Sequence, residues 1–409
     1  MKKILLLISE YLPEFSANSS CVVNVVNELK KGNIVDVLTF SGQDNLPLSE
    51  NIDGINIYRV KCKMKSNYNK MYSKNKFKMN TVNFLFKRVM NKLIVMFIWP
   101  DFTIINLRSY QKKAIELIYE RKYDAIITSS GDFLVQTVGT RIKQKYPQIK
   151  WIAYFNDPMP SENFIYLKTK STIMNIKKKQ ELVFKYADAI LYDLELYKKY
   201  VNIFSNYKEK MKSIGIPSLI QSEFNNETVS DSKNINIIYA GFLYKDIRNP
   251  EFLFKIISNS NIPIEFNIYG SGDCLDIIDK YSKKSNGKVI YHGQVTQREI
   301  RNKINNAGIL VNICNVISEQ VPCKLFEYMA TGLPILNIVK NENDPVVEYI
   351  DRYKNGVNIF EKTDIIEATK QLEEFCKNNA YKRMAFENTK QNFYKNTPEY
   401  TKKVIEFLI

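Results

Sequence analysis

Short apolar runs alternate with helical segments along the chain, and this alternation restricts its fold more than any other feature. An apolar run from Lys3 to Ser9 predicts a buried strand, a helix is predicted from Cys21 to Lys31, and a second strand from Val35 to Phe40. Strands joined through a helix form a βαβ unit, which requires a parallel sheet and a right-handed crossover. The chain is therefore predicted to be an α/β protein with doubly wound sheets.

The alternation occurs in two blocks separated by a polar stretch. Residues 221–233 read QSEFNNETVSDSK, which is unsuited to a core and predicts an interdomain linker. A chain of 409 residues is expected to form two hydrophobic cores. We predict Rossmann-like domains over 1–225 and 233–390, and a last helix within 391–409 that packs back towards the first domain. Because ligands bind at the carboxyl ends of parallel strands, the two domains are expected to face each other across a central cleft.

The chain is strongly basic, with 59 Lys and Arg against 43 Asp and Glu and a net charge of +16. This excess favours an anionic partner, or else reflects only a basic solvated surface. Residues 60–98 interrupt the alternation and interleave Lys and Arg with Tyr and Phe. They are interpreted as an insertion that either lies on an anionic membrane surface or forms a solvated helical excursion. No RNA- or DNA-binding motif is present, so a nucleic-acid partner is not expected.

Cysteine usage and the apolar runs bear on metal binding and location. The six Cys include no CxxC pair, and the one His is His292. This composition argues against a Cys/His zinc site and against a disulfide scaffold. It suits a reducing cytosol. The apolar run near the N-terminus is too short for a secretory signal, and residues 93–100 are too short to span a membrane. A cytoplasmic protein without a metal site is expected.

The chemically most informative stretch is residues 318–334, SEQVPCKLFEYMATGLP. Its Pro and Gly positions predict a short helix from Pro322 to Ala330. The N-terminus of a helix carries unpaired N–H groups and positive potential, and can therefore hold a diphosphate. Glu319 and Glu327 would lie on either side of such a site, separated by roughly 8 Å along the helix axis. Each carboxylate could accept hydrogen bonds from a pair of sugar hydroxyls.

The same stretch resembles the signature of the retaining glycosyltransferases of family 4, which have the two-domain GT-B fold. In this signature a Glu is followed by seven residues, a second Glu and then Met-Ala-x-Gly-x-Pro, and this sequence reproduces that pattern. The resemblance implies that Glu319 contacts hydroxyls of the transferred sugar as a catalytic residue and that Glu327 contacts the ribose. It also assigns Val321 and Cys323 to the donor-binding residues.

A second segment resembles the phosphate-binding part of this family. The sequence YAGFL, which contains Gly241, is similar to the start of the family's second domain and puts this Gly in the donor site. Family members carry Arg directly after the Gly and Lys or Arg six residues later, where this chain has Phe242 and Arg248. The resemblance implies that Arg248 contacts the phosphates and that Lys245 or Lys324 supplies the charge absent at Phe242, because the departing diphosphate develops negative charge. Ordinary surface cations are the alternative.

Two glycine-containing segments also resemble donor-site loops of the family. Gly270 and Gly272 in IYGSGD resemble a glycine turn at a strand end, although close packing of strand on helix explains a lone GxG equally well. Gly293 and Val295 in YHGQV resemble the segment whose backbone faces the nucleobase. His292 is interpreted as a structural residue.

The N-terminal half resembles the family less closely. Where many members carry a Gly pair, this chain has Asn18, Ser19 and Ser20, whose backbone N–H groups would form an acceptor-side loop. The sequence FNDP at 155–158 resembles the Arg-Asp-Pro turn of a bacterial surface-polysaccharide subgroup, which implies a second catalytic residue, Asp157. A turn-initiating Asp before Pro is the alternative. The His that many members carry in this domain is absent.

These features predict a metal-independent, retaining glycosyltransferase without a cofactor, which transfers a sugar from a nucleotide-sugar donor, a UDP-sugar, to a glycan acceptor. The subgroup resemblance and the basic segment favour a lipid-linked acceptor in bacterial surface-polysaccharide or capsule synthesis, with the protein peripheral at the inner face of the cell membrane. The alternatives are a non-catalytic GT-B partner subunit, a sugar-nucleotide epimerase and a nucleic-acid-binding protein.

Overall fold

The computed structural model describes residues 1–13, 17–43, 45–62, 106–129, 133–156, 170–221, 233–316 and 321–409. The chain divides into two compact units: unit 1 is Met1–Pro217 with Pro398–Ile409, and unit 2 is Ser218–Thr397. Unit 1 is interrupted after Pro217, before the predicted domain boundary at 225. The chain returns to unit 1 at Pro398, within the predicted last segment 391–409. Nearly all of the predicted insertion at 60–98 lies outside the described residues.

Unit 1 contains an eight-stranded sheet. Its elements up to Pro217 are β1 (Lys3–Ile8), α1 (Ala17–Leu29), β2 (Ile34–Ser41), β3 (Ser49–Ile52), β4 (Ile55–Lys61), α2 (Leu107–Arg121), β5 (Ala125–Ser129), α3 (Phe133–Lys145), β6 (Lys150–Phe155), α4 (Lys170–Tyr186), β7 (Ala189–Asp193), α5 (Leu194–Ile203), a 3-10 turn (Ser205–Lys210) and β8 (Met211–Ile214). The strand order is β3-β4-β2-β1-β5-β6-β7-β8, in which β3 and β4 pair antiparallel and the other pairs are parallel.

The continuous apolar run of β1 reflects burial on both faces of this sheet. Leu5 and Leu7 lie in one hydrophobic cluster with residues of α2 and α3, whereas Ile4 and Leu6 lie in another with residues of α1. Successive side chains of a strand point to opposite faces, so a strand covered on both faces needs an apolar residue at every position.

The predicted start of α1 at Cys21 is wrong, because the helix begins at Ala17. Asn18, Ser19 and Ser20 therefore lie in its first turn rather than in a loop. Short polar residues are common in loops and equally favoured at helix N-termini, which explains the misplaced boundary.

Unit 2 contains a six-stranded parallel sheet. Its elements are β9 (Ile235–Leu243), α6 (Glu251–Asn259), β10 (Ile264–Gly272), α7 (Leu275–Lys284), β11 (Val289–Gly293), α8 (Gln297–Asn305), β12 (Ile309–Ile313), α9 (Cys323–Ala330), β13 (Ile335–Val339), α10 (Pro345–Tyr353), β14 (Gly356–Phe360), α11 (Ile365–Asn379), α12 (Phe386–Asn392) and a 3-10 turn (Tyr394–Asn396). The strand order is β11-β10-β9-β12-β13-β14. Counted from the first strand of the unit, this is the 3-2-1-4-5-6 order of Rossmann folds, and it reverses between β9 and β12.

A row of asparagines ties three strands of unit 2 together. Asn312, Asn337 and Asn358 stand in register on β12, β13 and β14. The Asn312 side-chain amide donates to Asn337 Oδ1 at 2.7 Å, and that of Asn337 donates to Asn358 Oδ1 at 2.8 Å. Since Asn337 is fully buried, these bonds fix the register of the strands beside their carboxyl ends.

The last helix, α13 (Pro398–Leu408), belongs to unit 1. Its Ile405 is fully buried in the cluster that contains Val22, Val26 and Leu29 of α1. None of the helices built from the described residues combines the length and the apolar character needed to span a bilayer.

Candidate functional site

At the carboxyl edge of the unit 2 sheet, β9 and β12 diverge and no longer pair. These strands pair at two positions only, the second being Ile238 with Leu310. Beyond Ile238 the backbone of β9 bonds to side chains of α9 instead: the Ala240 N–H donates to the Tyr328 hydroxyl at 3.2 Å, and the Lys324 ammonium donates to Ala240 O at 2.5 Å. Because ligands of open parallel sheets bind where the strand order reverses, this edge is the candidate site.

Helix α9 brings a cation and a carboxylate to this edge. Pro322 is its N-cap in an extended conformation, so the helix begins at Cys323, one residue after the predicted start. Its buried residues are Leu325, Phe326, Tyr328, Met329 and Ala330. Lys324 is half-buried and Glu327 is exposed, and their spacing of three residues puts them on one face.

The electrostatics of Lys324 connect it with the other charged residues of the edge. Burial is the main cause that lowers the pKa of Lys324, the Glu327 carboxylate opposes this effect, and the charge of Arg248 adds to it. The three charged groups thus lie within interaction range of one another.

Arg248 is held at the end of β9 by a neighbouring strand end. Its backbone N–H donates to Tyr244 O at 2.7 Å. The Nε and Nη2 atoms donate to Asn315 Oδ1 at 3.1 and 2.9 Å, and Nη1 approaches Phe242 O at 3.4 Å. No carboxylate among the described residues forms an ion pair with this guanidinium. It is therefore oriented by neutral groups, and its charge is available to an anion.

Lys245 differs from Arg248 in having a charged partner. Its ammonium forms an ion pair with Asp276 at 2.6 Å, and its backbone N–H donates to Asp273 Oδ1 at 2.8 Å. The hydrogen bond from the ammonium to Asp276 raises the pKa of Lys245. This contact directs the side chain towards α7.

An aromatic pair stands where the family pattern has a cation. The rings of Phe242 and Tyr244 are stacked with centroids 6.2 Å apart, and both side chains are exposed. The Phe242 carbonyl accepts from the Tyr239 hydroxyl at 3.0 Å. This position therefore contributes an apolar ring and no charge to the edge.

The predicted strand-end turn at Gly270 and Gly272 is wrong. Strand β10 continues through both residues to Gly272, and pairs Gly270 with Gly241 and Gly272 with Leu243 on β9. A Cβ atom on Gly270 would overlap the Gly241 carbonyl oxygen, and one on Gly272 would overlap that of Leu243. The glycines thus permit two strands to pair closely, rather than a turn or the packing of strand on helix.

The residues predicted to face a nucleobase lie at the end of β11. Gly293 is the last residue of β11, and Val295 is 37% exposed in the segment before α8. His292 stacks on Tyr269 with ring centroids 4.5 Å apart, and its Nε2 lies 2.6 Å from Asn267 Oδ1. Partial burial is the main cause that lowers the pKa of His292, and these contacts fit a structural role.

Some predicted site residues lie elsewhere or outside the described part of the chain. Val321 is buried and Cys323 is half-buried, both at the start of α9. Glu319 and Asp157 lie outside the described residues. Among the described residues, no three His, Cys, Asp or Glu side chains are grouped closely enough to share a metal ion.

The structure adds three residues to the edge that the sequence did not indicate. Tyr328 bonds to the backbone of β9, Asn315 orients Arg248, and Lys340 directly follows β13. The position of Tyr328, one helical turn after Lys324, could have indicated its role. Asn315 and Lys340 carry no local signal, because strand order alone brings their positions together.

Comparison with known proteins gives one sequence match. Residues 221–397 match the family described as Glycosyl transferases group 1, a range that covers most of unit 2 and less than half of the chain. No curated protein matches the chain.

The similarity to solved structures extends over both units. Sucrose-phosphate synthase from Thermosynechococcus elongatus has a TM-score of 0.65 at 12% identity, with 100% of this chain and 98% of that chain covered. HepE from Anabaena, in complex with UDP and glucose, has a TM-score of 0.62 at 12% identity, with coverage of 100% and 99%. The lipopolysaccharide outer core galactosyltransferase WaaB has a TM-score of 0.59 at 13% identity, with coverage of 99% and 98%.

These identities establish the fold alone. The two sheets, which are parallel except for the β3–β4 pair, and the neighbours agree on the GT-B fold with two Rossmann-like domains, as predicted. The chain therefore has the GT-B fold, and its second unit matches the group 1 glycosyltransferases.

Proposed function

We propose that the chain is a glycosyltransferase that transfers a sugar from a UDP-sugar to a glycan acceptor with retention of anomeric configuration. The main support is that α9 holds Lys324 and Glu327 against β9 at the strand-order reversal, where Asn315 orients Arg248, within the residues that match the group 1 glycosyltransferases. Two cations beside a helix N-terminus suit a diphosphate, and an exposed carboxylate suits sugar hydroxyls.

In the proposed reaction the bond between the donor sugar C1 and the β-phosphate oxygen breaks, and the acceptor oxygen bonds to C1 on the same face. The proton of the acceptor hydroxyl passes to the departing phosphate oxygen, so the products are the glycosylated acceptor and UDP. Arg248 and Lys324 stabilise the charge that develops on the diphosphate, without a metal ion. Glu327 binds the ribose, Glu319 binds the transferred sugar, and Asp157 acts on the acceptor side.

The proposed acceptor is a lipid-linked glycan of a bacterial surface polysaccharide such as a capsule. The excess of positive charge supports a peripheral location at the anionic inner face of the cell membrane. WaaB, which has a similar fold, is a transferase of the lipopolysaccharide outer core, and this is a glycan of the same broad class.

Calorimetry with UDP-, GDP-, ADP- and dTDP-sugars tests the donor site. We expect one donor to bind the wild type, and Glu327→Gln to bind it roughly 10- to 100-fold more weakly, because a hydrogen bond to a charged group contributes about 1.5–3 kcal/mol. Glu319→Gln should chiefly lower turnover. Glu374→Gln, an exposed residue of α11, is the matched control and should bind normally.

Two of the alternatives predict different results with the same donors. If no donor binds, the non-catalytic partner subunit is favoured, a reading that the uncharged Phe242 supports. An epimerase would convert the donor into its isomer without an acceptor. With a transferase, an NMR spectrum of the new anomeric centre distinguishes retention from inversion.

A further inference from the structure

Lys340 lies at the same edge of the sheet as Arg248, although the two residues follow different strands. Arg248 follows β9 and Lys340 follows β13. Strands β12 and β13 pair Ile313 with Ile338, and the Cys314 N–H donates to Ile338 O at 2.9 Å. Asn315 and Lys340 are each the second residue after this pair and lie just beyond the ends of β12 and β13. Since Asn315 binds the Arg248 guanidinium, the strand order brings a second cation to the edge that holds Arg248.

The charge of Lys340 is poorly compensated within the described residues. Its side chain is 9% exposed, and its ammonium lies 3.8 Å from Glu361 Oε1. A charge-assisted hydrogen bond is normally about 2.7–2.9 Å long, so this contact is weak. Burial is the main cause that lowers the pKa of Lys340, Glu361 opposes this effect, and the charge of Arg248 adds to it. A bound anion would compensate both cations.

The two lysines predicted to supply the charge absent at Phe242 each have a short contact with another group. Lys245 forms an ion pair with Asp276 at 2.6 Å, and Lys324 donates to Ala240 O at 2.5 Å. Lys340 has a carboxylate neighbour only at 3.8 Å. Of these three lysines, Lys340 has the longest contact, and its ammonium can therefore turn most easily towards an anion.

We infer that Lys340 and Arg248 together bind an oxyanion of the diphosphate class, and that Lys340 supplies the charge that Phe242 does not. The nature of the anion rests on the proposed function, in which the diphosphate belongs to the nucleotide-sugar donor. Lys340 is then a donor-binding residue that acts from the end of the fifth strand of unit 2.

Calorimetry with UDP, uridine and inorganic pyrophosphate tests this role. Lys340→Met should bind UDP and pyrophosphate about 10- to 100-fold more weakly, as expected for the loss of a bond to a charged group, and should bind uridine like the wild type. Lys340→Arg, which retains the charge, should recover most of the affinity. Lys283→Met is the control, because Lys283 is exposed on α7 and paired with Asp279. It should bind all three compounds normally.

A purely structural pair of Lys340 and Glu361 predicts other results. In that case Lys340→Met would lower the midpoint of urea unfolding without changing pyrophosphate affinity, and this outcome overturns the inference. Glu361→Gln provides a second variant if Lys340→Met does not fold. Removal of the competing carboxylate should strengthen pyrophosphate binding severalfold, and a weaker affinity would contradict a role in anion binding.

The two proposals fail in different ways. If the wild type binds UDP and Lys340→Met binds it equally well, the role of Lys340 is lost and the proposed transferase is unaffected. If the wild type binds pyrophosphate through Lys340 but binds no nucleotide-sugar, the anion site stands and the proposed function is lost. A wild type that binds neither UDP nor pyrophosphate overturns the anion site itself.

Discussion

Gly270 and Gly272 are the residues of unit 2 on which strand pairing depends most directly. Their φ angles are +147° and +146°, in the range that favours glycine, and a Cβ on either would overlap a carbonyl oxygen of β9. The region between β9 and β10 therefore tolerates no side chain at these positions, even though both residues lie within a strand.

Gly272→Ala should lower the free energy of unfolding by more than about 3 kcal/mol, because backbone strain adds to displacement of a paired strand. Gly287→Ala is the matched control: Gly287 also has a positive φ, of +81°, but a Cβ there would meet no atom within 4 Å. It should cost about 1–2 kcal/mol. Urea unfolding measures the loss of unfolding free energy in both variants. Equal losses would show that β9 and β10 can move apart around the new Cβ atom without a cost in free energy.

From the sequence, single residues could be assigned to the candidate site only where the assignment depends on local spacing. Arg248 follows from its distance to Gly241, and Glu327 from its place in the helical motif. The role of Gly272 depends on which carbonyl lies opposite, and that is set by pairing with a strand about thirty residues away along the chain. Lys340 was not identified for the same reason, since its neighbour Asn315 belongs to another strand.

At the scale of elements, α9 substitutes for a missing strand partner. Where β9 and β12 diverge, the Ala240 N–H has no partner on β12 and donates instead to the buried Tyr328 hydroxyl. The helix thereby closes the sheet at the position where the candidate site begins, and it holds Lys324 and Glu327 in fixed relation to β9.

Tyr328→Phe should lower the free energy of unfolding by about 1–3 kcal/mol, because it leaves a buried N–H without an acceptor. Tyr353→Phe is the control. The Tyr353 hydroxyl only donates, to Leu333 O at 2.9 Å, so its loss should cost about 0.5–1.5 kcal/mol. Chemical denaturation of the two variants should separate these values, and a smaller loss for Tyr328→Phe would mean that water replaces its hydroxyl.

Helices and strands were predictable where period and boundary signals agree. Strand β2 and helix α9 lie within one residue of the predicted bounds, at Ile34–Ser41 and Cys323–Ala330. The start of α1 and the end of β10 were wrong, because polar serines and glycines indicate loops by composition and the structure uses them for a helix start and for strand pairing. The parallel sheets followed from the βαβ alternation, whereas the strand order did not.

At the scale of the whole molecule, the excess charge belongs to one unit. Unit 1 has 37 Lys and Arg against 21 Asp and Glu, and unit 2 has 22 of each. On helix α4 of unit 1, Met174, Lys178, Leu182 and Lys185 are exposed at helical spacing. An exposed face of this kind, basic and partly apolar, suits an anionic bilayer.

Reversing three exposed charges of α4, with Lys177→Glu, Lys178→Glu and Lys185→Glu, should lower partition onto phosphatidylserine-containing vesicles on the order of a hundredfold. Each Lys contributes about 1 kcal/mol near such a surface. The control reverses three exposed lysines of unit 2, with Lys283→Glu, Lys284→Glu and Lys377→Glu. Vesicle sedimentation measures the partition, and an equal effect of both sets would contradict a membrane-binding face on unit 1.

The return of α13 to unit 1 has a consequence for the order of folding during synthesis. Domains of a growing chain usually fold from the N-terminus onwards. Here Ile405 completes the cluster that contains Val22, Val26 and Leu29, so unit 1 acquires its full core only after the last helix has left the ribosome. Unit 2 is released earlier and contains all of its own strands. The second domain to be translated is therefore the first that can finish folding, and the ribosome must release an incomplete first domain ahead of it.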